Sequence, residues 1–201
     1  MRRTKEDAEL TRQAVLDAAL RVMSRRGYAA TRLDEIAAAA RVTRGAIYHH
    51  FGGKLELFTA LIEDASVVSS RAVAQAIAEG GDFLEIARRV LMYTLELLAR
   101  DARFRGASAL LLFSSHEAPE LAPLRRSRVQ LGLAQLEQIT GFFQMGLAQG
   151  AIRADIDPAV AARAFLAYQN GLILLWVTSP GLIDYDQHAA GLAELFITGI
   201  A

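Results

Sequence analysis

The chain has no cysteine, only four prolines and one tryptophan, and aromatic residues make up just 7% of it. Without cysteine there are no disulfides, thiolate zinc sites or thiol nucleophiles, and the composition fits a reducing compartment. An excess of charge of one sign is also missing, because 22 basic residues balance 22 acidic ones. Long apolar runs are absent too. The most apolar stretch, Ala159–Val177, is interrupted by Arg163, Gln169 and Asn170, and its uninterrupted part, Leu172–Val177, is too short to cross a bilayer. The first ten residues are charged and no apolar h-region follows them, so no secretory signal is read there. A cytoplasmic protein without a membrane partner is expected. What is plentiful is apolar surface, 53% of 201 residues. That excludes a disordered chain and supplies a sizeable core.

The balanced charge is not evenly spread. Residues 1–54 hold eleven basic side chains and six acidic ones, a net +5, and the remainder is therefore −5. A basic module joined to an acidic body fits a polyanion-binding end.

Apolar residues recur at three- and four-residue spacing in nearly every segment, which predicts an all-α fold of about nine helices. Helix one is expected over Leu10–Arg26, stopped by Gly27. Thr31 is read as the cap of a short helix ending near Ala40, with Asp34 in the capping-box position. After a turn at Arg41–Thr43 comes a second short helix, Arg44–His50, broken by Gly52–Gly53. Long helices are expected over Lys54–Ala78, Phe83–Arg100 and Leu124–Gln149, and a shorter one over Phe104–His116. Asp157 and Pro158 open another that reaches Ser179, and the last runs from Tyr185 to Gly199.

Residues 31–51 carry the chemistry. Two short helices across a three-residue turn make a helix-turn-helix pattern. Leu33, Ile36, Ala37 and Ala40 share one face of the first helix, Val42 packs under the turn, and Ile47 and Phe51 form the inner face of the second. Arg44, Gly45, Tyr48 and His49 are left pointing outward together. Arginine pairs with a guanine edge or a phosphate, glycine admits a groove wall closely, and tyrosine and histidine donate to phosphate oxygens. Thr43 caps the helix, and Lys54 can neutralise another phosphate. A helical hairpin with solvated polar residues would show the same pattern.

The run Thr11–Arg26, Thr31, Ile36–Ala37, Val42-Thr43-Arg44-Gly45-Ala46-Ile47-Tyr48-His49-His50-Phe51 and Lys54-Leu55-Glu56-Leu57-Phe58 resembles the tetracycline-repressor (TetR) family, and within it the AcrR-like regulators of multidrug efflux. The resemblance covers about Thr11–Leu61. It implies a homodimer on a palindromic double-stranded DNA operator, released by a small apolar or amphipathic ligand. It divides the chain into a DNA-binding domain, 1–54, and a ligand-binding and dimerisation domain, 55–201. By position it marks Thr31, Thr43, Arg44, Gly45, Tyr48, His49 and Lys54 as DNA contacts, and Arg32 and Arg41 are read as further contacts beside them. This chain departs from the family pattern at Arg41, where glycine is usual, and at Gly52–Gly53, where a polar cap is common. If the turn needs a positive φ at Arg41, arginine is strained there by roughly 1 kcal/mol; the alternative is that Arg41 adds a contact to the DNA backbone.

Beyond residue 65 the resemblance weakens. A ligand site is read among Phe113, His116, Glu117, Gln138, Phe142, Tyr168, Gln169, Asn170 and Trp176, polar groups set among aromatics. Family architecture implies that the last two helices form the dimer interface, with Phe165, Leu172, Leu175, Leu192, Leu195 and Phe196 as its residues. No catalysis, cofactor or metal is expected. Ser114-Ser115-His116-Glu117 has the residue types of a hydrolase triad, but adjacent helical positions point apart. The competing reading is a helical small-molecule binding protein, or an enzyme on the same body, that does not bind DNA.

Overall fold

The computed structural model describes residues 5–114, 118–179 and 181–201. Among them lie nine α-helices, one 3-10 turn and no strand: α1 (Lys5–Ala30), α2 (Leu33–Ala40), α3 (Arg44–Phe51), α4 (Lys54–Ala78), α5 (Phe83–Arg100), α6 (Ala102–Ser114), the 3-10 turn Pro119–Leu121, α7 (Ala122–Ala148), α8 (Pro158–Thr178) and α9 (Tyr185–Ile200). The caps explain several boundaries. Asp82 opens α5 in a capping box with Glu85, and Asp157 accepts from the Ala159 N–H ahead of Pro158. Gly27 breaks α1 as expected, but as a kink (φ 75°, ψ 164°) after which one more turn, to Ala30, is formed.

Contacts divide the chain into two compact units: Met1–Val67 with Arg103–Arg125, and Val68–Ala102 with Arg126–Ala201. This division does not follow a cut after residue 54. Leu57, Phe58, Leu61 and Ile62 of α4, and Leu110 of α6, belong to the core of the N-terminal helices. In that core α1 packs on α2, and α2 on α3. Val15, Met23, Ile36, Ile47 and Phe58 are completely buried in it. Each contributes roughly 1.5–3 kcal/mol of apolar burial. The Tyr28 ring meets Phe58 edge-on at 4.9 Å.

The second unit packs α5 against α8 and α9. Its core is a chain of rings: Phe142 stacks on Phe83 at 4.5 Å, Phe83 meets Phe143 at 5.3 Å, Phe143 meets Phe165 at 6.0 Å, and Phe165 meets Phe196 at 5.4 Å. Arg88 of α5 bonds Glu194 of α9 at 2.9 Å. Gly146 of α7 is needed here, because a Cβ on it would lie 2.6 Å from the Phe83 ring. By length and composition α8 is apolar enough to cross a membrane. It is nonetheless a packed helix of this unit, with Ala161, Ala162, Phe165 and Leu172 buried.

Candidate nucleic-acid interface

The first and second short helices meet at a turn closed by two backbone bonds, Arg41 N–H to the Ala38 carbonyl (3.2 Å) and Val42 N–H to the Ala37 carbonyl (3.0 Å). This 6→1 closure places Arg41 in the left-handed region (φ 57°, ψ 39°), the position that glycine ordinarily fills. Arg41 is the one non-glycine with positive φ among the described residues. The strained alternative expected from the sequence is therefore the one that occurs.

Thr43 caps α3, its Oγ1 accepting the Ala46 N–H at 3.2 Å. Ile47 is buried and Phe51 half-buried, with the Arg12 guanidinium over the Phe51 ring at 5.7 Å. The opposite face presents Arg44, Gly45, Tyr48 and His49 to solvent. A Cβ at Gly45 would meet only Thr43 Oγ1, at 3.8 Å. Nothing inside the protein requires glycine there, which fits a face approached closely from outside. Arg44 is not idle on this surface. It donates to the Tyr48 hydroxyl at 3.1 Å and to the Asp34 carboxylate at 3.4 Å, and its guanidinium lies 5.5 Å from the Tyr48 ring centre. The bond to Tyr48, and then the nearby Asp34 charge, raise its pKa further above the usual arginine range.

Two expected contacts have other partners. Thr31 is 2% exposed and its hydroxyl donates to the Gly27 carbonyl at 2.7 Å. It does not cap α2. The cap position is Arg32, whose N–H is held by the Glu35 carboxylate at 3.0 Å, one residue later than the expected capping box. Glu35 also pairs with Arg26. Lys54 directs its Nζ to the Ala29 carbonyl at 3.1 Å and stands 4.4 Å from the centre of the Tyr28 ring. Burial lowers its pKa, and the Glu120 charge opposes that shift. The buried Tyr28 phenol, bonded to Glu120, is pushed up to about 12, first by burial and then by Glu120. Asp34, Tyr28 and Glu120 were not legible as partners of the reading face, since their pairings join residues far apart in sequence.

Two family models match the chain: the tetR family of bacterial regulatory proteins over residues 15–61, and the C-terminal region of MAATS-type transcriptional repressors over 82–200. The chain is 34% identical over 185 residues to the HTH-type transcriptional regulator TtgR of Pseudomonas putida, covering 92% of this chain and 88% of that one. It is 32% identical over 189 residues to the regulator AcrR of Shigella flexneri, covering 94% and 88%. Its fold matches that of NalD, the secondary repressor of the MexAB-OprM multidrug efflux pump in Pseudomonas aeruginosa. That match has a TM-score of 0.80 and 27% identity, and covers 96% of this chain and 98% of that one. The chain belongs to the tetR family. It is a DNA-binding transcriptional repressor and not an enzyme.

In this tetR-family chain the expected ligand residues are dispersed. Phe113 is exposed on α6, and His116 and Glu117 lie outside the described residues. Gln138 and Asn170 are exposed, and Phe142 sits in the ring chain. Two polar groups already have partners: the Tyr168 hydroxyl donates to the Leu192 carbonyl at 2.7 Å, and Gln169 donates to the Thr94 hydroxyl at 3.1 Å. Trp176 packs half-buried against Leu95, Leu172 and Ala189. Of the expected interface residues, Phe165 and Leu172 are buried in their own protomer, and Leu192 and Phe196 are half-buried there. Only Leu175 and Leu195 stand out, at 45% and 71% exposure.

Proposed function

We propose that this chain is a cytoplasmic homodimer that represses an efflux-type transport operon from a palindromic operator, and that a small apolar or amphipathic molecule releases it. The observation that carries the reading is the outer face of α3, where Arg44, Gly45, Tyr48 and His49 are exposed together behind a Thr43-capped N-terminus. Arg32 and Arg41 are exposed beside them. In this reading α3 enters the major groove and two copies read half-sites about 34–36 Å apart. Control of efflux is supported by the likeness to NalD, a repressor of a multidrug efflux pump.

The dimer face is drawn on the exposed sides of α8 and α9. Val160, Ala164, Ala167, Gly171, Leu174 and Leu175 fall on one stripe of α8, and Gly191, Leu195 and Gly199 on one stripe of α9. A Cβ at Gly171, Gly191 or Gly199 would meet nothing within 4 Å, so these glycines leave room for a neighbouring backbone. DNA binding is assigned to residues 1–54, and ligand uptake and dimerisation to 55–201. Gln138, Phe142, Tyr168, Gln169, Asn170 and Trp176 remain the proposed ligand residues of the second unit.

The test is operator selection from a random duplex pool, followed by binding assays. Arg44→Ala and Tyr48→Phe should each weaken operator binding by about 5- to 150-fold, the equivalent of about 1–3 kcal/mol for a good base or phosphate contact. Unchanged DNA affinity in both variants would exclude the reading. Native mass spectrometry of protein as purified should show two chains and any apolar molecule that travels with them.

A further inference from the structure

The Asp34–Arg44 pair stands in an unusual place. Its opposite charges cancel on a surface expected to meet an anion, and both side chains are largely open to solvent, 66% for Asp34 and 54% for Arg44. Exposed pairs of this kind contribute little to folding. The pair therefore has no evident structural reason to sit on the reading face, and its geometry supplies another.

Arg44 offers five N–H donors in a flat fork. One on Nη1 goes to Asp34 at 3.4 Å and one on Nη2 to the Tyr48 hydroxyl at 3.1 Å. Three remain, enough for the O6 and N7 acceptors of a guanine edge, which carries no charge. A phosphate instead attracts the fork by its net charge, and Asp34 cancels much of that charge. Tyr48 accepts from Arg44, which leaves its own proton free for a phosphate oxygen. The two neighbours then divide the work, Tyr48 fixing register on the backbone and Arg44 reading a base.

We infer that Asp34 is a specificity-determining residue: it holds the Arg44 fork in reading orientation and denies its charge to phosphates. This rests on α3 being the reading helix.

The experiment measures affinity for a selected operator and for a scrambled duplex of the same length, over a salt series, with full-length protein. Asp34→Ala should tighten scrambled-duplex binding several-fold and lower the operator-to-scrambled ratio about tenfold. The log–log salt slope on the scrambled duplex should steepen by about 0.9, one added phosphate contact. Asp34→Asn keeps an oxygen acceptor without the charge. It should steepen the slope equally but retain part of the ratio, and it carries the test if Asp34→Ala fails to fold. In an Arg44→Ala background neither substitution should change the ratio or the slope. An unchanged ratio and slope in the single variants would overturn the inference while leaving the α3 reading intact. So would an Asp34→Ala effect that persists without Arg44, since Asp34 would then act on DNA directly. Loss of any Arg44→Ala effect on the operator would instead overturn the α3 reading, and this inference with it.

Discussion

Gly146 offers a sharp test of how the second unit is packed. A Cβ built there would lie 2.6 to 2.8 Å from three atoms of the Phe83 ring. The ring has little room to move: Phe83 is 1% exposed, stacked on Phe142 at 4.5 Å and edge-on to Phe143 at 5.3 Å. Gly146→Ala must therefore displace a locked ring, and overpacking of this kind costs about 1–3 kcal/mol. Against it stands the better helix propensity of alanine, about 0.8–1 kcal/mol. The net expectation is a loss of up to about 2 kcal/mol. The same helix supplies the control. A Cβ at Gly141 or Gly132 meets nothing within 4 Å, so Gly141→Ala and Gly132→Ala keep only the propensity gain. Urea unfolding followed by far-UV circular dichroism, at one protein concentration, should shift the midpoint down for Gly146→Ala and up for Gly141→Ala, with unchanged m. A Gly146→Ala protein as stable as Gly141→Ala would refute the packing described here.

Relief of the turn strain at Arg41, with φ at 57°, predicts that Arg41→Gly stabilises the first unit. The gain is up to about 0.5 kcal/mol after the entropy cost of glycine. Thermal melts check this, and a lower midpoint would show that the arginine side chain is holding the turn. Tyr28 predicts a pH effect. Its phenol pKa is raised from 10.0 to about 12, first by burial and then by Glu120. The folded state thus prefers the neutral phenol. That stabilisation is complete below pH 10 and is lost as pH rises towards 12. Tyr28→Phe should flatten the alkaline fall in stability, measured by urea midpoints across this range, and an equally steep fall in the variant would exclude Tyr28 as its source.

The helix count and most boundaries were legible because punctuation is local. Asp157-Pro158, Asp82 with Glu85, and Thr43 three residues before Ala46 each announce a helix start in a few letters. The inner face of α2 and α3 was legible for a similar reason, since Ile36, Ala37 and Ile47 follow from spacing alone. The cap of α2 was misread because two capping patterns overlap by one residue, Thr31 with Asp34 and Arg32 with Glu35. The choice between them depends on the kink at Gly27, whose carbonyl draws the Thr31 hydroxyl inward. The expected interface residues meet a geometric limit. A helix apolar all round must be covered on every side, but its letters do not say which side its own protomer covers. Phe165 and Leu172 face inward, and Leu174 and Leu175 do not. Lys54 shows the same limit at the DNA face, because its attachment to Ala29 spans a loop closure that no short motif records.

The uncovered leucines of α8 and α9 also bear on how stability should be quoted for this chain. In the proposed dimer, the Leu174, Leu175 and Leu195 side chains that one protomer leaves in water are covered by the second copy. Mass action then enters the folding equilibrium: diluting the protein lowers its melting midpoint without any change of sequence or solvent. At low concentration the protein works at the weak end of that curve. Its abundance sets how much of it is paired, and so how firmly its operator is held.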